Sequence, residues 1–140
     1  MREILFRGKR IDNGEWVEGL LSQTTVIAPN KPAYVALTID ELGKKPFDGC
    51  WHEVDPDTVG QYTGLTDKNG KKIFEGDIVL GRFEFGMKVP SLVVFRDGAF
   101  GLEWEHAGKT VFTVFTGFCN VTFEVIGNVF DNPELLNKEA

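Results

Sequence analysis

No stretch of this 140-residue chain free of both glycine and proline is longer than ten residues, Ala33 to Leu42. Helices average about 11–12 residues, and an interior Gly or Pro costs roughly 1 or 3 kcal/mol relative to Ala, so bundles and doubly wound folds find no room. Long apolar runs are missing too. The opening MREILFRGKRIDNG holds only Ile4, Leu5 and Phe6 as an apolar run, too little for a secretory leader. Nothing approaches the roughly 20 apolar residues of a membrane span. The expectation is a cytoplasmic protein with no membrane partner. Cysteine is scarce: Cys50 and Cys119 lie far apart and read as small buried hydrophobes rather than a disulfide. The G-x-S-x-G, P-loop and H-E-x-x-H signatures are absent.

An excess of positive charge is absent as well. Lys and Arg number 15 against 21 Asp and Glu, a net charge of -6. The deficit is even, with 7 basic and 10 acidic residues in 1–58 and 8 and 11 in 59–140. Neither part is a basic nucleic-acid module.

What is present is β chemistry. Val, Ile, Phe and Thr fill the segments between breakers, and 42% hydrophobic residues suffice for a core without metal or disulfide support. Asn13-Gly14 predicts a hairpin over residues 3–21, and Asn69-Gly70 repeats the device between Leu65 and the Ile73, Phe74, Ile78, Val79 group. Asp97-Gly98 joins SLVVFR to AFGLEWE, where Phe100, Leu102 and Trp104 alternate as in a strand buried on one face. TVFTVFT and VTFEVIGNVF are apolar on both faces, and Glu105 to Lys109 reads as a surface turn containing His106. Thr24 to Ala28 and Ala33 to Thr38 are strand candidates, and Asp40 to Leu42 predicts one helical turn. Asp55-Pro56 predicts another helical turn ending at Gly60, and Asn132-Pro133 a short C-terminal helix, each by the order of an N-cap before a first-turn proline.

The segment GQYTGLTDKNGKKIFEGDIVL, with MREILFRGKRIDNGEWVEG, VVFRDGAFGL and VIGNVFDNPELL, closely resembles the YopX family, small proteins encoded by bacteriophages and prophages. The resemblance implies a mainly β protein with very little helix, whose C-terminal part is a small SH3-like barrel, and it brings no established activity or catalytic residue. Residues 22–53 carry little of it. The expected organisation is an N-terminal β-hairpin and variable region over 1–58, then a barrel with a short terminal helix over 59–140, within a bacterial host. Five strand candidates between about residues 62 and 130, joined by tight turns, agree with such a barrel.

Three groups of residues invite a functional reading. Twelve Phe, three Trp and two Tyr are a surplus for a small core. The two-sided strands therefore make Phe112, Val114, Phe115 and Phe123 candidates for the core or for an interface in a homo-oligomer, with a phage or host protein as a further partner. Arg7, Lys9 and Arg10, with Lys71 and Lys72, are candidate phosphate contacts beside Tyr62, Phe74 or Phe83 as stacking rings, a nucleic-acid reading that the net charge opposes. Cys50, His52, Asp55 and Asp57 form a ligand-like cluster for a metal- or Cys/His-dependent hydrolase. They lack the four-ligand zinc spacing, and the Asp-Pro order suits a helix cap. No cofactor is called for, and the leading expectation is a non-enzymatic binding module.

Overall fold

The computed structural model describes residues 3–24, 33–38, 51–81, 88–115 and 122–137. The chain forms two compact units, Met1–Tyr62 and Thr63–Ala140. Among the described residues the structure is almost entirely antiparallel β, and no helix is long and apolar enough to cross a membrane.

The first unit holds β1 (Phe6–Arg10), β2 (Trp16–Thr24), β3 (Ala33–Thr38) and most of β4 (Trp51–Thr66). β1 pairs with β2, β2 with β3, β3 with β4, and β4 again with β1, so each of these strands has a neighbour on both sides. The hairpin expected over 3–21 is the β1–β2 pair, with Phe6 opposite Gly19 and Lys9 opposite Trp16. Its turn is longer than an Asn-Gly pair alone suggests. Gly14 takes a positive φ of 73° but Asn13 does not. Asn13 instead accepts a hydrogen bond from the Glu15 N–H at 2.9 Å, a side-chain turn that replaces the left-handed backbone. Ala33–Thr38 is a strand as expected, and Thr24 ends β2. Residues 25–28 and the helical turn expected at Asp40 to Leu42 lie outside the described residues.

The helical turn expected at Asp55 to Gly60 is not formed, because those residues lie within β4. Opposite them the register jumps: Arg7 faces Gly60 while Lys9 faces Asp55, so residues 56–59 bulge out against Gly8 alone. The capping chemistry is real but serves the bulge. Asp55 Oδ1 accepts from the Asp57 N–H at 3.0 Å, and the Thr58 hydroxyl donates to the Asp55 carbonyl at 2.6 Å. Thr58 Oγ1 also accepts the Lys9 N–H at 2.9 Å, replacing the ladder bond that the bulge removes. Pro56, lacking an N–H, fits where no ladder bond is made.

In the second unit the end of β4 is followed by β5 (Lys72–Phe74), β6 (Asp77–Leu80), β7 (Ser91–Arg96), β8 (Ala99–His106), β9 (Lys109–Val114) and β10 (Glu124–Asn128). The last five strands form a sheet in the order β10-β6-β7-β8-β9. No pairing between β9 and β10 closes it among the described residues. One face carries the core of Ile73, Val79, Val93, Leu102, Trp104, Phe115 and Phe123. The Asp97-Gly98 turn matches its expectation, with positive φ at both residues (53° and 82°). Ala107-Gly108 is built the same way at 54° and 77°, although alanine gains nothing there and pays the left-handed penalty of roughly 1–2 kcal/mol. The short C-terminal helix is a 3₁₀ turn, Pro133–Asn137. Asn132 does not cap it with its side chain but turns back to accept the Asn128 N–H at 3.3 Å, passing Gly127, where a Cβ would lie 2.6 Å from its oxygen.

A single carboxylate organises this unit. Asp67, 4% exposed, accepts the Asn69 and Lys71 N–H groups on Oδ1 at 2.8 and 2.9 Å and the Val125 N–H on Oδ2 at 3.0 Å. Burial pushes its carboxyl up, but the three backbone donors and the Lys71 charge outweigh that and hold it below its ordinary value of 3.8. A carboxyl depressed on folding contributes stability in full above its unfolded pKa and loses it as pH falls through the folded one. Asp67→Asn is expected to cost about 2 kcal/mol at pH 7, the range for hydrogen bonds to a charged group. The gap from the parent should narrow at pH 3, and urea unfolding at both pH values measures it; an equal loss at both would show that the ionised carboxylate is not the stabilising species.

Candidate functional site

The two positive-φ turns stack β7, β8 and β9 side by side, and strand alternation sends every second residue to each face. Val93, Leu102, Trp104 and Val111 face the core. The opposite face carries Leu92, Val94 and Arg96 from β7, Gly101, Glu103 and Glu105 from β8, and Thr110, Phe112 and Val114 from β9, with Gly101 opposite both Val94 and Val114. Val114 is 53% exposed, and Leu92, Val94 and Phe112 are half-buried.

Gly101 shapes this face. A Cβ there would overlap the Phe112 ring and sit 2.6 Å from the Thr113 carbonyl oxygen. The missing side chain lets Phe112 lie down across the sheet and restore contact where glycine would leave a gap. The Arg96 guanidinium stands 5.0 Å from the same ring and pairs with the Glu103 carboxylate. The result is an apolar strip of Leu92, Val94, Phe112 and Val114 with one internally paired charge couple. Phe95 and Phe100 form an edge-to-face pair at 5.1 Å near the Asp97-Gly98 turn, and Phe95 is itself 53% exposed.

The four aromatic and apolar candidates therefore divide. Phe112 and Val114 lie on the outer face, whereas Phe115 and Phe123 are buried core residues whose rings meet edge-to-face at 6.3 Å.

The basic candidates belong to different units. In the first, Arg7 and Lys9 project beside Trp16, with the guanidinium carbon 4.9 Å and the ammonium 5.9 Å from its ring centre. Arg10 is engaged with Asp12 through two hydrogen bonds, 3.0 and 2.6 Å, and the first of Asp12's influences, that bond to Arg10, holds its carboxyl below the ordinary value. Lys71 and Lys72 lie at the Asn69-Gly70 turn of the second unit. Two of the expected stacking rings are unusable as placed: Tyr62 and Phe74 are 8% and 2% exposed. Phe83 lies outside the described residues.

Over residues 5–137 the sequence matches the family model for YopX protein. This chain belongs to the YopX family. Its fold is similar to that of protein EF1440 from Enterococcus faecalis, with a TM-score of 0.55 and 24% identity over 97% of this chain and 99% of that one. It is also similar to protein YopX from Bacillus subtilis, with a TM-score of 0.55 and 17% identity over the full length of both chains. At such identities the likeness is one of fold. No curated protein matches the chain. The bounds of the YopX match enclose residues 22–53, the part in which the sequence motifs carry little of the resemblance.

Of the remaining candidate cluster of this YopX-family chain, His52, Asp55 and Asp57 are described. Cys50 and Cys119 lie outside the described residues. His52 lines a small pocket of about 180 Å³ with Arg10, Ile11, Asp12 and Glu53, while Asp55 and Asp57 are exposed and tied into the β4 bulge. Among the described residues no three His, Cys, Asp or Glu side chains gather as metal ligands.

Two residues that matter at these surfaces are missing from the sequence reading. Trp16 was not legible, since a two-residue turn centred on Asn13-Gly14 would set it across from Ile11, whereas the longer turn that forms sets it across from Lys9. Gly101 stands between Phe100 and Leu102 on the face opposite to them, and a glycine inside a strand often marks a close approach of another group. Gly101→Ala is expected to destabilise the protein by about 2 kcal/mol, the cost of overpacking against a ring and a backbone carbonyl. A melt that leaves this variant as stable as the parent would show that Phe112 does not lie over Gly101.

Proposed function

We propose that this chain is a non-enzymatic accessory protein of phage or prophage origin, acting in the bacterial cytoplasm as a self-associating binding module whose further target is a phage or host protein. The carrying observation is the outer face of β7, β8 and β9, where Val114 stands exposed beside Leu92, Val94 and Phe112. An apolar strip held on a rigid sheet gains free energy when a partner removes it from water, at roughly 25 cal/mol per Å². In this reading the second unit is a small SH3-like barrel. Support for that comes from the Asn69-Gly70 turn, which is bonded onto the far side of the sheet by Lys68 N–H to Phe123 O at 2.9 Å and by the Asp67 bond to Val125. Light scattering at about 50 µM, well above the Kd of an interface worth roughly 8 kcal/mol, is expected to give the mass of a dimer or larger assembly. A monomer at that concentration overturns self-association.

A second reading, nucleic-acid binding, is favoured by Trp16 with Arg7 and Lys9 beside its ring, an aromatic next to cations on one hairpin. The net charge of -6 opposes it. On this reading labelled single-stranded oligonucleotides bind at low salt and release as salt rises, and Trp16→Ala weakens binding about tenfold, a typical share for one stacked base. A flat titration at low salt removes the reading.

A further inference from the structure

The strand edges of this protein are treated unequally. In the first unit each of β1 to β4 is paired on both sides. In the second unit β5 ends its sheet but is only three residues long. β10, at one end of the other sheet, has a register shift between Val125 and Gly127, carries Glu124, and gives its Val125 N–H to Asp67. Shortness, bulges, charge and covering bonds are the means by which proteins keep edges from pairing.

β9, at the opposite end, is six residues long with no register shift, its one charge is Lys109 at its start, and among the described residues no strand pairs with its outer side. Its sequence, KTVFTV, is β-branched or aromatic after the first residue, and its pairing with β8 is regular from His106–Lys109 to Gly101–Val114. The two-residue turn makes His106 and Lys109 a hydrogen-bonded pair, and such pairs recur at every second position. Phe115 N–H to Phe100 O at 3.0 Å shows the same phase at the far end. The N–H and C=O groups of Thr110, Phe112 and Val114 therefore point away from β8. Their side chains lie on the outer apolar face, so edge and face present one continuous surface.

We infer that β9 pairs antiparallel with β9 of a second copy about a twofold axis at Phe112, extending the sheet across the dimer. The inference rests on the self-association proposed above and names its mode. A copy turned about Phe112 meets all three outward positions in register. Phe112 faces its own counterpart, and Thr110 faces Val114 of the second copy. The pattern of outward donors and acceptors is thus self-complementary, as an isologous contact requires. Charge selects the direction. Lys109 is the one charged residue on the edge, and parallel pairing would set it beside its counterpart. Antiparallel pairing separates the two ammonium groups by roughly 20 Å at about 3.4 Å per residue, beyond the ~10 Å screening length of 0.1 M salt. The same rotation brings the two Val114 side chains and the two apolar strips onto one continuous face.

Residue-resolved hydrogen exchange on the full chain, at roughly 100 µM and about 1 µM, tests it, since only dimer-protected amides respond to dilution. The amides of Thr110, Phe112 and Val114 are expected to exchange at least about tenfold more slowly at the higher concentration, while those of Val111 and Thr113 are protected at both. Val114→Pro removes one outward N–H and no bond to β8, and Pro is tolerated on that side of an edge strand. It is expected to leave the circular dichroism unchanged and to abolish the dimer. A dimer whose three outward amides exchange alike at both concentrations overturns the β9 mode and spares self-association. A monomer at both overturns both.

Discussion

Asp67 ties together parts of the second unit that the chain itself keeps far apart. Its carboxylate fixes the Asn69-Gly70 turn from within and at the same time holds the N–H of Val125, 58 residues on. Val125 in turn pairs with Val79 of β6, and β6 pairs with β7, so the bond sets where the hairpin sits against the sheet that carries the core. Removing it would leave three backbone donors without their acceptor next to a core that cannot supply another, a larger loss than any one surface bond. Asp77 repeats the device a few residues later. It is 1% exposed and accepts the Phe74 N–H at 2.8 Å, closing the Glu75-Gly76 turn between β5 and β6. Two buried carboxylates therefore define the path of the chain from β4 to β6.

That dependence explains what was readable beforehand and what was not. Asp97-Gly98 encodes its turn completely, because two left-handed residues in succession are a local property and Asp-Gly satisfies it. Asn69-Gly70 announces a turn equally well, but its geometry is set by Asp67, whose second oxygen is committed to a distant strand. Only Gly70 of that pair is left-handed. Asp55-Pro56 misleads for a related reason. An Asx turn followed by proline is the same local chemistry at the start of a helix and at a strand bulge, and the choice is made by β1, whose Lys9 N–H needs Thr58. Local signals fix local geometry, and tertiary partners decide which element that geometry serves.

The candidate surfaces follow the same division. Alternation in the β7 to β9 region foretold two apolar faces, yet it could not say which would be covered. Phe115 and Phe123 are drawn into the core, with Phe123 packed so closely over Gly81 that a Cβ there would lie 2.6 Å from its ring. Phe112 and Val114, one strand position out of phase with Phe115, stay outside. The difference is one of register, which a single residue reverses. Among the cations, composition identified Arg7 and Lys9 but not their ring, because Trp16 becomes their neighbour only once the hairpin is folded.

The outer face is better understood as a maintained surface than as a core left bare. An uncovered core would gain from any larger side chain at Gly101, yet that position is held small so that Phe112 can lie flat, and Arg96 covers the ring while its charge is balanced by Glu103. Each of these choices limits water contact with the strip without filling it in. The Arg96–Glu103 pair places no net charge beside Phe112, and Glu105, the remaining carboxylate of the face, accepts the Thr110 hydroxyl at 2.7 Å at its margin. A flat, apolar face, ending in a strand whose outer side is unpaired among the described residues, satisfies the demands of contact with itself more readily than those of a strongly charged ligand.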